Sequence, residues 1–203
     1  MQLEILFIGS NAIGSTSRHR ADAFRRLGFI VEVIDLQSNV AKTSRLLSKI
    51  HYLSGYKFLQ AKLLLHLQYT LSRLSLDLPV FVWIDSGELI GPALVKFLKK
   101  TYSCPIILFN TDDPTGTRDR GRFSSLLRAL QYYDYCFFVR SETVLEARAL
   151  GAKNACLLLR SYDEVIHQSE VDMSTKTLAN FVSFIGTFMP GEKRDRFILE
   201  LMS

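Results

Sequence analysis

The sequence predicts an α/β fold: a doubly wound, mainly parallel Rossmann-like sheet with helices on both faces. Three observations predict it. Short β-rich runs alternate with helical patterns along most of the chain, the signature of parallel strands joined by crossover helices. Several of these runs are apolar at every position, as in Ile5-Leu6-Phe7-Ile8 and Ile106-Ile107-Leu108-Phe109, so both of their faces need cover. The first strand also runs straight into a Gly/Ser-rich turn that opens a helix.

Strand one is expected over Leu3 to Ile8, followed by the turn Gly9 to Ser17. Ser17 is the predicted N-cap of a helix through about Leu27, with Gly28 as its stop. Strand two is expected from Ile30 to Leu36. Between it and strand three, Val80 to Asp85, lies a long helical stretch. Its apolar stripe runs through Leu46, Ile50 and Leu53, then Leu59, Leu63, Leu67, Leu71 and Leu74, and Gly55 divides it into two helices. Strand four is expected over Pro105 to Phe109 and strand five over Tyr135 to Val139. Ser141 is the predicted cap of a helix ended by Gly151, and strand six is expected over Ala155 to Leu159. These elements form a first domain, residues 1–167. A polar linker, 168–180, then leads to strand Phe181 to Ile185, a glycine turn and a helix from Glu192 to Met202, the expected opening of a second Rossmann-like domain over 181–203.

The chain has 203 residues, 48% hydrophobic and 22% charged, enough to bury a substantial core. The N-terminal run carries Glu4 and lacks the basic region and cleavage site of a signal peptide, so the expected location is cytoplasmic. The longest apolar tracts are broken by Lys62, His66 and Gln68, far short of the roughly 20 residues that span a bilayer. Cys104, Cys136 and Cys156 have no metal-site spacing and read as buried, reduced thiols.

Candidate chemistry sits in the loops after strands one and four, because polar groups on rigid strand ends commonly serve a ligand. Gly9-x4-Gly14 has the Walker A spacing, but Ser15 stands where the phosphate-binding Lys belongs, which disfavours an NTPase. Asn11 occupies the second glycine of the dinucleotide fingerprint, and Asp35 alone is a weak ribose signal, so a nicotinamide enzyme is disfavoured too. What survives is an anion-binding turn made by Gly14, Ser15, Thr16, Ser17 and Arg18; the competing reading is a plain turn with an N-cap. In the loop Asn110 to Arg118, Asp112 or Asp113 can orient sugar hydroxyls or act as general base, with Asn110 and Arg118 as binding residues; the alternative is an Asx-turn ahead of Pro114. Adjacent acids with no further ligand beside them do not make a metal site, and none is expected. Asp85-Ser86-Gly87-Glu88 is similar to a phospho-acceptor strand end, but strand one lacks the acidic pair such a site requires. His19, one turn into the first helix, is a further candidate base.

The formal charge of +5 is unevenly spread. No acid occurs between Leu36 and Leu76, while Lys42, Arg45, Lys49, Lys57, Lys62 and Arg73 fall there. With Tyr52, Tyr56, Phe58 and Tyr69 interleaved, residues 42–73 could dock on an anionic membrane face, equally well read as a helix pair with an incidental basic exterior. Nucleic acid is not expected, since no binding motif accompanies the charge.

With these residues in place, the chain resembles the N-terminal half of GT-B-type glycosyltransferases, particularly the CgeB-like (spore maturation protein) family. The likeness is carried by Gly9 to Asp22 (GSNAIGSTSRHRAD), Phe109 to Arg122 (FNTDDPTGTRDRGR), Tyr133 to Gly151 continuing to Asp163, and Val182 to Arg194 (VSFIGTFMPGEKR). The resemblance implies an acceptor-side domain and transfer of a sugar from a nucleotide-sugar to a glycan or other hydroxyl acceptor, without a metal or other cofactor. Asp112, Asp113 or His19 would handle the acceptor proton, and the Gly14 to Ser17 turn would approach the donor phosphates. Against that family's pattern, most of the donor domain is missing after Ser203. The chain alone is then expected to be inactive or to need a partner subunit that supplies that domain, and a non-catalytic glycan-, nucleotide- or membrane-binding module is the alternative.

Overall fold

A computed structural model describes residues 3–37, 44–74, 76, 78–167 and 194–202. The chain divides into two compact units, residues 1–167 and 168–203. In the first, six parallel strands, β1 (Glu4–Ile8), β2 (Ile30–Ile34), β3 (Phe81–Asp85), β4 (Ile106–Asn110), β5 (Tyr135–Phe138) and β6 (Ala155–Leu157), lie in the order β2-β1-β3-β4-β5-β6. Every neighbouring pair is parallel, with Ile5 opposite Val31 on one side and Phe81 on the other. This is the doubly wound fold expected.

The doubly apolar strands divide their side chains by the two-residue period of the pleat. Leu6, Ile8, Val82, Ile84, Ile106, Leu108, Cys136 and Phe138 enter one core, with Leu63 and Leu67 of α3 (Gln60–Leu71), Leu94, Val95 and Leu98 of α4 (Pro92–Thr101), Leu126 and Ala129 of α5 (Ser124–Ala129), and Val144 and Ala147 of α6 (Ser141–Ala149). Ile5, Phe7, Val31, Trp83 and Phe109 face the other way, under Ala21 of α1 (Thr16–Arg26). Phe24 of α1 packs edge-on against Trp83, Phe81, Phe29 and Phe7, with ring centroids 5.3 to 6.4 Å apart.

Most element boundaries differ from expectation by a residue or two, those of α1, α6, β2 and β6 among them. Helix α1 begins one residue before Ser17, and Ser15 is its N-cap, its hydroxyl accepting from Arg18 N at 3.1 Å. Helix α6 likewise begins at Ser141 itself, after Arg140, whose side chain is drawn to Asp113. Strand β2 stops at Ile34 because the Asp35 carboxylate accepts from Asn11 N and Gln37 N, both at 2.8 Å, which turns the chain out of the sheet. Strand β6, at the sheet edge, ends at Leu157. The long helical stretch does divide near Gly55, into α2 (Arg45–Leu53) and a 3₁₀ turn (Lys57–Leu59) that runs into α3. Leu59 of the 3₁₀ turn and Leu63 and Leu67 of α3 are buried, whereas Leu46, Ile50 and Leu53 of α2 are exposed. Cys156 is exposed and Cys104 half-buried, so of the three thiols Cys136 alone is in the core; burial pushes it up to about 12. No helix among the described residues is long and apolar enough to cross a membrane.

In the second unit the described residues form α7 (Arg194–Met202), with Phe197 and Leu199 exposed. The expected linker and the strand Phe181 to Ile185 lie outside the described residues, as does Lys42.

Candidate functional site at the carboxyl edge of the sheet

The chain leaves β1 toward β2 and later returns to the opposite side of β1 as β3, so the winding reverses between β1 and β3. A cavity of about 330 Å³ opens there. Loops from four strands wall it: Gly9, Ser10 and Ser15 to Ser17 after β1, Leu36 and Gln37 after β2, Ser86 to Ile90 after β3, and Thr111 with Asp112 after β4.

Close approach of backbone makes this crevice. Gly9 has no room for a side chain: a Cβ there would collide with Ser17 Oγ and stand 2.8 Å from Phe7 and 2.9 Å from Asp85. The turn then closes through Ser15 N to Ala12 O at 3.1 Å, and α1 starts with its N-terminus on the cavity. Helix geometry leaves the first-turn N–H groups without intrahelical acceptors. Ser15 Oγ takes that of Arg18, while Thr16 and Ser17 line the cavity. Ser17 is 7% exposed, and its hydroxyl has no hydrogen-bond partner among the described residues.

The floor is an ion pair. Arg20 Nη2 donates to Asp85 Oδ1 at 2.8 Å while Nε donates to Oδ2; Trp83 Nε1 adds a 3.3 Å bond to Oδ2, and the guanidinium lies 4.9 Å from the Phe109 ring centre. Gln60 of α3 holds the loop after β3, accepting from Gly91 N at 2.9 Å and donating to Leu89 O at 3.1 Å.

The far wall is organised by Arg122. Its Nε donates to Glu88 Oε2, its Nη2 lies 3.7 Å from Asp112 Oδ2, and its guanidinium is 4.7 Å from the Phe123 ring and 5.5 Å from that of Tyr52. Burial disfavours the charge on Arg122, yet the carboxylates of Glu88 and Asp112 outweigh it and raise its pKa. Beside it, burial first and the charge of Glu88 second push Tyr56 up to about 12. Tyr52 donates to Asp119 Oδ1 at 3.2 Å, tying α2 to this wall.

The predicted residues are divided by this geometry. Ser15, Thr16, Ser17 and Asp112 line the cavity together; Gly14, at φ +76°, shapes the turn and does not line it. Arg18 points outward beside Asp22, 3.9 Å away. Asn110 is wholly buried: its amide donates to Ser86 O and its carbonyl accepts from Asp112 N at 2.9 Å, so it positions two walls and cannot reach a ligand. Asp113 is turned from the cavity to Arg140 and Thr143, and Arg118 pairs with Asp119 at 2.8 Å. His19 is not in the crevice either. It faces a smaller hollow on the flank of α1, its ring 5.6 Å from that of His167.

Arg20 and Arg122 are not among the expected site residues, and the sequence presents Asp85 and Glu88 only as a phospho-acceptor strand end. Arg20 carried a signal, since it lies three and four residues beyond Ser17 and Thr16 and so shares their helix face; His19 stands in the same relation to Thr16 and Ser15, and spacing alone did not tell the two apart. Among the described residues, no group of three or more His, Cys, Asp or Glu side chains is placed to hold a metal ion. No protein-family model and no curated protein matches this chain.

Proposed function

We propose that the crevice is the acceptor-side site of a glycosyltransferase of the GT-B type, receiving a sugar or other polyol ligand that carries a phosphate. One observation carries this reading: a cavity of about 330 Å³ at the switch point has four hydroxyl-bearing residues, Ser10, Ser15, Thr16 and Ser17, and a helix N-terminus on one wall and the carboxylate of Asp112 on the other. That volume is within the ordinary range of small-molecule sites, and a helix start attracts an anion. Asp112 is the group suited to accept a hydrogen bond from a ligand hydroxyl and, in transfer, its proton. Nucleotide-sugars are cytoplasmic metabolites, so this reading carries a cytoplasmic location with it.

A second reading, binding without chemistry, is favoured by a separate observation. Each acid lining the crevice already faces an arginine: Asp85 faces Arg20, while Glu88 and Asp112 share Arg122. No carboxylate there is left to act unassisted as a base.

Titrating the ¹⁵N-labelled chain with nucleotide-sugars, sugar phosphates and free saccharides tests the site. The expected result is saturable shifts at Ser15, Thr16, Ser17 and Asp112, weakened at least tenfold by Asp112→Asn; shifts confined to other residues would overturn the assignment. Transfer or hydrolysis of the bound donor, abolished by Asp112→Asn, supports the transferase, and saturable binding with no turnover supports the second reading.

A further inference from the structure

Beyond the crevice, we propose that the solvent face of α2 and α3 is a docking surface for an anionic lipid bilayer. Along the 3₁₀ turn, α3 and the turn that follows it, Phe58, Lys62, Leu65, Tyr69 and Arg73 recur at spacings of three and four residues, and Lys62, Leu65 and Tyr69 share one side of the helix. Leu63 and Leu67 occupy the opposite side and are buried. The outward stripe is not the polar surface that a helix covering a sheet normally presents. Phe58 is 64% exposed, Leu65 67% and Tyr69 58%; on α2, Leu46 is 70% exposed, with Leu47 and Ile50 also outside.

The charge on these helices is of one sign. Lys49, Lys57, Lys62 and Arg73 are exposed among these apolar groups, and no acid occurs anywhere between Leu36 and Leu76. The cations also sit on the aromatics: Lys57 Nζ is 4.8 Å from the Phe58 ring centre and the Arg73 guanidinium 5.4 Å from that of Tyr69. A second copy of this chain would set the same cations against each other, whereas an anionic bilayer complements them and takes up the apolar and aromatic groups beside them. Each such cation contributes about 1 kcal/mol near an anionic surface, equivalent to about fivefold in affinity.

The purified chain is sedimented with vesicles of phosphatidylcholine alone and of phosphatidylcholine with phosphatidylglycerol, at low and high salt, alongside light scattering to follow self-association. The expected result is binding to the anionic vesicles only, released by salt. Lys62→Gln and Arg73→Gln should each weaken it about fivefold, and Leu65→Asp should abolish it, while Leu145→Asp on the exposed side of α6 leaves it unchanged. The two glutamine variants alter only exposed side-chain ends, so they carry the test even if Leu65→Asp fails to fold. Equal binding to neutral vesicles, no binding to either kind, or anionic binding untouched by Lys62→Gln and Arg73→Gln would overturn the proposal. Self-association that these variants disrupt, without vesicle binding, would assign the face to a second copy and overturn it as well. Crevice ligands titrate Ser15 to Ser17 and not this stripe, so either reading can fail without the other.

Discussion

The guanidinium of Arg20, on the second turn of α1, grips the carboxylate of Asp85, at the end of β3, through both Nε and Nη2. The two residues are 65 positions apart, and the pair fixes the helix that supplies one wall of the crevice to the strand that supplies its floor. Asp85 is nearly inaccessible and Arg20 largely so, which makes the balance between them decisive.

Removing one partner strands the other. Among the described residues, Arg20→Leu leaves the buried carboxylate only the 3.3 Å bond from Trp83 Nε1, and is expected to cost about 3 kcal/mol or more of stability. Asp85→Asn keeps the shape and should cost less. Urea unfolding measures both; equal and small losses would show that solvent already screens the pair.

Ser17 should give opposite signs in two assays. A buried hydroxyl without a partner costs about 1–3 kcal/mol, so Ser17→Ala should leave the free protein as stable or raise its midpoint of unfolding. The same substitution removes a hydroxyl from the anion end of the crevice and should weaken ligand binding. Gly9→Ala, by contrast, forces a methyl group against Ser17, Phe7 and Asp85, costs about 1–3 kcal/mol and closes the crevice. Destabilisation by Ser17→Ala would mean that its hydroxyl is satisfied in the protein.

Asn110 should behave as a scaffold residue. Asn110→Ala loses the bonds to Ser86 O and Asp112 N and leaves both backbone groups unsatisfied, an expected loss of about 2 kcal/mol. Asn110→Asp should be worse, because a carboxylate oxygen would then face the Ser86 carbonyl. Thermal unfolding ranks the two; in the folded fraction, ligand affinity should fall together with the order of the Thr111-Asp112 loop, a joint change that a ligand-contacting role for Asn110 would not produce.

Much of this fold is visible in the sequence, because its signals are local. Runs such as Ile5 to Ile8 need cover on both faces, and Gly28 and Gly151 stop helices at φ of +92° and +99°. That Ser15 to Ser17 and Asp112 border a cavity was legible for the same reason, since they are polar residues just beyond buried strands. What stayed hidden is set by pairings across the chain. Asp112 and Asp113 are chemically alike and adjacent, and only the position of Arg140, brought alongside by β5, turns Asp113 away. The exposure of α2 could not be read from its periodicity, since an apolar stripe looks the same whether it is buried or bare. That helix is held instead at Tyr52, and at Leu53, whose carbonyl lies where a side chain on Gly121 would sit.

The turn from Asp163 to His167 supplies a pH test. The Asp163 carboxylate accepts from Ile166 N at 3.0 Å, Val165 N at 2.9 Å and Arg26 Nη2 at 3.0 Å. The bond from Ile166 is the largest influence; against the cost of burial, it and the bonds from Arg26 and Val165 hold the acid at about 2, below its ordinary 3.8. A folded value below the unfolded one means that the stabilisation is complete above about pH 4 and is lost as pH falls toward about 2. Amide shifts of Val165 and Ile166, followed by NMR, should therefore titrate with a midpoint near 2. In Asp163→Asn, which keeps an acceptor but no charge, the turn should be weaker at neutral pH and insensitive to acid across that window. A midpoint at the ordinary value would mean that Asp163 is not bound as drawn, and that the segment walling the His19 hollow is held by other contacts.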